Sequence, residues 1–470
     1  MSKETSHETS ILSGKVFKVE DRVILDAEKV IYNPDHDFYR DFLRPYYVIT
    51  RDGQYLFAST QPGRMPHRAF YMIPDGYKLG KGQREFNKKI GKKLYEIALK
   101  YLRDVQVLIL DGILGENEYR VGVRVTISVD NPHSAYIGWM GKLMMFPYED
   151  NVEIRCWNYI IPEGLQGEYA EEIKEIWPEY HPKLPITLYD FTEIDKDIRR
   201  VLSLGIDYFG GALKKPNLTM VWHRAEGDGL ISYHAGMTKS RILKGLSGTG
   251  KTTLTVGPDI EQDDAALGKP IYDKNGKITD VRLIGLEAAS FCKSEGLTEK
   301  SPEWVGLMKS REVDEEGNRP IVLCLNIDCE GVDYVYKKIG KYVVKIPEPI
   351  PGQKVGSLQC TRYEKSGTTN GRFVFRYSEL NKEWGSKKPK YLRAEGLCFK
   401  RFDILEPIIR IIDPVMAVAL DSACETVITS AIMGQKVGKR VRIYAATDFM
   451  AREQSQQAIL KLKVYNDMGL

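Results

Sequence analysis

Ten consecutive residues, Gly245, Leu246, Ser247, Gly248, Thr249, Gly250, Lys251, Thr252, Thr253 and Leu254, constrain this chain more than any other stretch. They fit the pattern GxxxxGK(S/T), in which small residues let successive backbone N–H groups turn inward on phosphate oxygens. A helix opening near Lys251 adds its positive dipole end to the same ligand. Lys251 supplies charge, and Thr252 supplies a hydroxyl suited to a magnesium ion. The apolar pair Ile242 and Leu243 reads as the strand that delivers the chain to this P-loop, so a nucleotide is the first ligand expected.

At 470 residues, of which 43% are hydrophobic, the chain is long enough for two or three cores and reads as a soluble globular protein. Its 68 basic and 64 acidic residues leave a net charge of only +4 and form no long single-sign block. That balance predicts no nucleic-acid footprint and no polybasic membrane contact. The seven cysteines (Cys156, Cys292, Cys324, Cys329, Cys360, Cys398 and Cys424) are odd in number and contain no CxxC pair. A zinc knuckle and a secreted disulfide framework are therefore not expected, and a reducing cytoplasm is. Residues 1–10, MSKETSHETS, lack an apolar signal core and read as a disordered tip. The most apolar run, 405–433, is interrupted by Glu406, Pro407, Arg410, Asp413, Pro414, Asp421 and Glu425, which predicts a buried helix rather than a membrane span.

Phe86, Ile90, Leu94, Ile97 and Tyr101 recur at helical spacing through a lysine-rich stretch, predicting an amphipathic surface helix that ends before Asp104. Residues 105–110 read as a buried strand and 121–129 as an alternating one. The Pro-rich stretches 178–185 and 347–351 are loop or linker signals. Asp413 and Pro414 open a helix by the N-cap and first-turn rule, expected to run toward a stop near Gly434. Asp448 reads as a further N-cap, leading to a closing helix through Gln457 and Leu460. These readings divide the chain into the tip 1–10, an N-terminal α/β substrate domain over 11–205 and a C-terminal nucleotide-binding domain over 206–470.

Two carboxylates, Asp263 and Asp264, follow the loop after a strand-length interval, as a metal bound to a triphosphate requires, and Asp264 is the better candidate. Before the loop lie the segments Phe209, Gly210, Gly211, Ala212, Leu213, Lys214, Lys215 and Ile231, Ser232, Tyr233, His234, Ala235. Taken alone, Lys215 reads as a solvated lysine and His234 as a satisfied core histidine.

In company, these pieces carry a resemblance. The stretch 245–254 is similar letter for letter to the GLSGTGKTTL of ATP-dependent phosphoenolpyruvate carboxykinases, and its neighbours fall in that family's order. Residues 63–70 resemble its GRSPKDKF, 209–215 its YGGEMKK and Tyr233–His234 its MHCSAN. Gln262, Asp263 and Asp264 resemble its GDDEHGW, 286–293 its FEGGCYAK, and Gly438, Lys439, Arg440 and Val441 its adenine-side GKRI. The resemblance implies a two-domain α/β architecture with mixed sheets and a P-loop in the C-terminal domain. It implies ATP, Mg²⁺ and Mn²⁺ as cofactors and oxaloacetate or phosphoenolpyruvate as small-molecule substrate, in a monomer or small homo-oligomer. By position, Lys215, His234 and Asp264 match the manganese ligands, while Lys251 and Thr252 match the nucleotide and magnesium contacts. Arg64 matches the arginine that holds the carboxylated substrate, Glu287 and Lys293 match residues lining the nucleotide site, and Arg319 matches a phosphate-bridging arginine.

A lysine can bind a metal only as the neutral amine. Its pKa must fall from about 10.4 to about 7, a differential of roughly 4–5 kcal/mol, and the neighbouring charge of Lys214 works in that direction. The chain also departs from the family pattern. His67, Arg68 and Ala69 stand in place of Lys-Asp-Lys, Phe209 in place of tyrosine, Ala212 in place of glutamate, Ala235 and Gly236 in place of Cys-Ser, and 265–268 in place of Glu-His-Gly-Trp. These differences keep two other readings open. One is a kinase on the same scaffold that phosphorylates another small-molecule or protein hydroxyl, with Asp263 as base. The other is a nucleotide-binding protein without catalysis.

Overall fold

Runs of valine, isoleucine and leucine on either side of a Gly115 turn build the centre of the molecule. In the computed structural model, which describes residues 12–13, 16–245, 249–360, 365–386, 388–399, 408–443 and 450–470, Val107–Leu114 and Val121–Ser128 pair antiparallel, and every residue of both strands is buried. The period-two alternation of the second strand is thus chemical, not a division between core and water. Its polar face carries Arg124, whose Nε and Nη2 donate to the two oxygens of Asp111 at 2.7 and 2.6 Å, while Nη1 donates to the Val19 carbonyl at 2.8 Å. The two residues are register partners. A bidentate pair of this kind makes a buried polar face tolerable.

The sheet continues through Ile154–Ile161, Arg199–Leu204, Ile186–Asp190 and Ala69–Met72, with Phe146–Pro147 and Val30–Tyr32 on Val107–Leu114. The sheet is mixed, with parallel and antiparallel pairs in it. One face is covered by the helix Lys88–Asp104, which buries Leu94, Ile97, Ala98, Tyr101 and Leu102. Asn87 caps that helix by accepting from the amides of Lys89 and Ile90. Across the other face lie Ala135–Met144, apolar on nearly every side and buried accordingly, and Lys215–Gly227.

The rest of the chain adds smaller sheets. Ile231–Tyr233, Ala266–Tyr272, Ile278–Gly285 and Lys390–Tyr391 form one, and Ala235–Met237, Arg241–Gly245 and Ala394–Cys398 form another. A third runs Ala289–Lys293, Arg372–Arg376, Leu323–Leu325, Tyr55–Phe57 and Val48–Ile49. Residues 48–57 therefore complete a sheet whose other strands come from 289–376. One hydrophobic core also runs from Tyr39 to Ala451. A division of the chain at residue 205 does not separate these layers, because pairing partners cross it.

Two sequence expectations change here. The helix opened by Asp413, which accepts from the amides of Val415 and Met416 at 2.7 and 3.1 Å, stops at Ser422 rather than near Gly434. The following Cys424–Val427 is β-rich in sequence and pairs instead with Arg440–Ile443 as a hairpin. Pro347 and Pro349 are not in a linker: Tyr342–Pro349 pairs with Val332–Ile339 in a two-stranded hairpin, whose free edge can hold prolines. The closing helix is Ser455–Met468, whereas Asp448, like residues 1–10, lies outside the described residues. The seven cysteines form no disulfide, and among the described residues no helix is long and apolar enough to cross a membrane.

Candidate active site

Four backbone junctions bring the charged groups of the sequence motifs together. Lys215 is the first residue of its α-helix and follows a π-helical turn, Gly210–Lys214, so Lys214 and Lys215 project from a locally widened backbone. His234 sits between Ile231–Tyr233 and Ala235–Met237. The Ala235 amide donates to the Asp264 carbonyl at 3.2 Å, which fixes His234 beside Asp264. Lys251 opens the short helix Lys251–Thr255 directly after Gly250, whose φ of +96° lies in the left-handed region open to glycine. Gly236 has a different reason: a Cβ there would meet Thr255 Oγ1 at 2.2 Å, so the strand can lie against that helix only without a side chain.

All of these groups converge on one carboxylate. Asp264 Oδ2 lies 2.5 Å from Lys215 Nζ and 3.2 Å from Lys214 Nζ, and Oδ1 lies 2.7 Å from Lys251 Nζ and 2.9 Å from His234 Nε2. Burial works against the charge on Asp264, yet Lys215, Lys251 and Lys214 overcome it and hold the carboxyl well below the usual range. Burial depresses Lys215 to about 7; Asp264 opposes the shift, and the positive charges of Lys214, Arg64 and Lys251 add to it. His234 is pushed down to about 3, again by burial first and then by Lys251, so its imidazole is neutral at any working pH. Lys214 also pairs with the buried Glu287 and stays charged, its pKa held up by Glu287 and Asp264 against the cost of burial.

These residues form one wall of a cleft of about 320 Å³. Its lining includes Arg64, Tyr208, Thr252, Thr253, Asp263, Lys293 and Arg372, and the hairpin contributes Thr426, Val427, Ile428 and Ile443. Arg64 is held there by its backbone, which accepts from the Met433 amide at 2.8 Å and donates to the Ala431 carbonyl at 3.2 Å. Asp263 receives the Ser290 hydroxyl on Oδ2 at 2.6 Å, while its Oδ1 is buried without a hydrogen-bond partner among the described residues. A mixed α/β fold whose cleft gathers six basic side chains, Arg64, Lys214, Lys215, Lys251, Lys293 and Arg372, around paired aspartates has the architecture of a site for anionic ligands.

The chain belongs to the phosphoenolpyruvate carboxykinase family, whose model matches residues 39–303. It is similar to the phosphoenolpyruvate carboxykinase (ATP) of Caldanaerobacter subterraneus subsp. tengcongensis, with 27% identity over 175 residues. That similarity covers 36% of this chain and 30% of the relative's length.

Some of the residues named from the sequence stand elsewhere. Arg319 is not a cleft residue: it follows the 314–318 turn and donates to the Ser310 carbonyl at 3.1 Å. Glu287 is buried behind the lining, neutralising Lys214. Gly245 ends its strand, and Arg440 and Val441 lie in the second hairpin strand, which presents Ile443 to the cleft instead. Leu246, Ser247 and Gly248 lie outside the described residues. None of the departures from the family pattern lines the main cleft. Phe209, Ala212, Ala265 and Ala266 are fully buried, and Arg68 donates to the Pro185 carbonyl at 2.9 Å.

Sequence reasoning missed two cleft residues. Arg372 donates to Asn370 Oδ1 from Nε and Nη2 at 3.1 and 2.9 Å and lies 5.5 Å from the Phe291 ring. The signal available was the alternation Asn370, Arg372 at the start of a strand, which puts both side chains on one face. Tyr208, next to the Phe209 that stands in place of the family's tyrosine, lines the cleft and its hydroxyl accepts from Asn370 Nδ2 at 3.2 Å, while Phe209 packs edge-on against Phe291 in the core. The π-turn changes the angular step between residues, so a one-position shift in sequence keeps a phenol at the site.

Proposed function

We propose that this protein uses ATP to convert oxaloacetate into phosphoenolpyruvate, carbon dioxide and ADP. The observation that carries this reading is the convergence of Lys215, His234 and Lys251 on Asp264 in the same cleft as Arg64. The donor set fits a divalent cation: near pH 7 it offers an imidazole and an amine that can be neutral, beside an ionised carboxylate. Among the described residues no group of three His, Cys, Asp or Glu side chains is placed to hold a metal, so a lysine must complete this set. Lys215, His234 and Asp264 would hold Mn²⁺, and Thr252 would face Mg²⁺ on the nucleotide. Bound there, the cations would stabilise the negative charge that develops on oxygen.

The chain's own residues divide the remaining work. The Arg64 guanidinium matches a carboxylate by its planar pair of donors and would hold oxaloacetate. Breaking the C–C bond to the departing carbon dioxide leaves an electron pair as an enolate. The enolate oxygen then takes the γ-phosphoryl, and the bond to ADP breaks. Lys251 and the backbone of the P-loop would carry the phosphates, with Arg372 opposite as the phosphate-bridging arginine. The lysine and arginine charges already in place in the cleft would stabilise both anionic stages.

Purified protein given Mn²⁺, ATP and oxaloacetate should form phosphoenolpyruvate; bound ATP with no product would sink the reading. A pH dependence follows from Lys215. Below about pH 7 the amine is protonated and must lose a proton to bind metal, so apparent Mn²⁺ affinity should fall about tenfold per pH unit and level off above pH 7. Manganese titrations from pH 5.5 to 8.5 measure this, and a flat profile would contradict the assignment of Lys215. A second reading, phosphoryl transfer to a hydroxyl, is favoured by one observation: the unpartnered Oδ1 of Asp263 at the cleft could accept the acceptor's proton. ATP turnover that depends on a hydroxyl compound and ignores oxaloacetate would support it.

A further inference from the structure

Behind the cleft lies a second charged cluster that takes no part in the chemistry above. Lys244, one residue before the end of the strand that leads into the P-loop, has its Nζ on Glu395 and 3.0 Å from Asp421 Oδ1. Asp421 Oδ2 lies 2.5 Å from Lys461 Nζ, and Lys461 also sits over the ring of Tyr233 at 5.5 Å. Glu395 accepts the hydroxyls of Tyr465 and Tyr233 at 2.6 and 3.2 Å. All four charged side chains are 6% exposed or less. Their charges cancel, and a core of this kind gains little stability over an apolar one, so what it can supply is register between the parts it joins.

Those parts are the ones that frame the nucleotide. Lys244 stands on the strand into the loop, and Tyr233 precedes His234. Asp421 is the penultimate residue of Pro414–Ser422, three residues before the hairpin strand Cys424–Val427. That hairpin gives Thr426, Val427 and Ile428 to the wall facing Lys251. Asp421 is the joint: its two oxygens meet the strand into the loop on one side and the C-terminal helix Ser455–Met468 on the other.

We propose that Lys244, Asp421, Lys461 and Glu395 are positioning residues that lock the 424–443 hairpin in register with the P-loop and so set the affinity for nucleotide. The proposal rests on the nucleotide reading of the cleft. The test is the double variant Lys244→Met/Glu395→Gln, which removes one charge of each sign, leaves the Asp421–Lys461 pair intact, and lets glutamine accept one tyrosine hydroxyl on its oxygen and donate from its NH2 to the other. Kd for ATP should rise about tenfold, and KM for ATP should rise with it while kcat at saturation stays within about twofold. Amide exchange at 424–427 should quicken about tenfold in the same variant, with the rest of the sheet unchanged. Should the double variant fail to fold, Asp421→Asn is measured by the same readouts. A folded variant with wild-type ATP affinity and wild-type exchange overturns the proposal. The exchange readout needs no nucleotide, so if the wild-type protein binds no ATP the failure lies with the nucleotide reading, while the hairpin's register is still judged.

Discussion

Asp264→Asn is expected to cost about 3 kcal/mol of stability and roughly a thousandfold in turnover. The two losses share one cause. The Nζ atoms of Lys214, Lys215 and Lys251 lie within 3.2 Å of this carboxylate, on side chains only 2 to 12% exposed. Asparagine keeps the shape and removes the charge, leaving three buried lysines with Glu287 and Asp263 as the buried carboxylates beside them. The metal set loses its anionic oxygen at the same time. Urea denaturation at pH 7 measures the first effect and a phosphoenolpyruvate-forming assay the second. Wild-type stability in the variant would show that Asp264 is not the electrostatic centre of the site.

Arg64→Ala and Lys251→Ala should separate substrate from nucleotide. Arg64 reaches the cleft from a segment pinned through its backbone to Ala431 and Met433, so truncating its side chain leaves that pinning in place. Oxaloacetate turnover should fall by roughly two to three orders of magnitude, with ATP Kd within about twofold of wild type. Lys251 opens the helix behind the loop and lines the cleft in which the phosphates are proposed to bind, so its loss should weaken ATP binding about a hundredfold and lower turnover as well. Isothermal titration with ATP, run beside the turnover assay, distinguishes the two. Equal losses of ATP affinity in both variants would contradict the roles assigned.

Much of the site was legible because its residues belong to local patterns. A P-loop is a local device, and Lys215, His234 and Asp264 each sit at a strand or helix junction that short motifs mark. The errors fall where packing outside the motif decides. Arg319 and Arg372 are both arginines of the right class, but only strand pairing carries Arg372 beside Phe291, while a turn holds Arg319 on Ser310. Tyr208 carries no motif of its own, and only the packing around the π-turn Gly210–Lys214 shows that its phenol lines the cleft. The helix from Asp413 was read too long because its start signal is local, whereas its end is set by a hairpin partner at Arg440–Ile443.

By itself the sequence determined the phosphate-binding pattern, the residue types of the proposed metal set and the family they resemble, since backbone turn chemistry and side-chain charge are written residue by residue. Tertiary structure alone decided that one carboxylate answers three lysines, that burial brings Lys215 to about 7, and that residues 48–57 complete a sheet from the other end of the chain. Desolvation and charge repulsion depend on what surrounds a group, and strand partners hundreds of residues apart leave no local mark on either one.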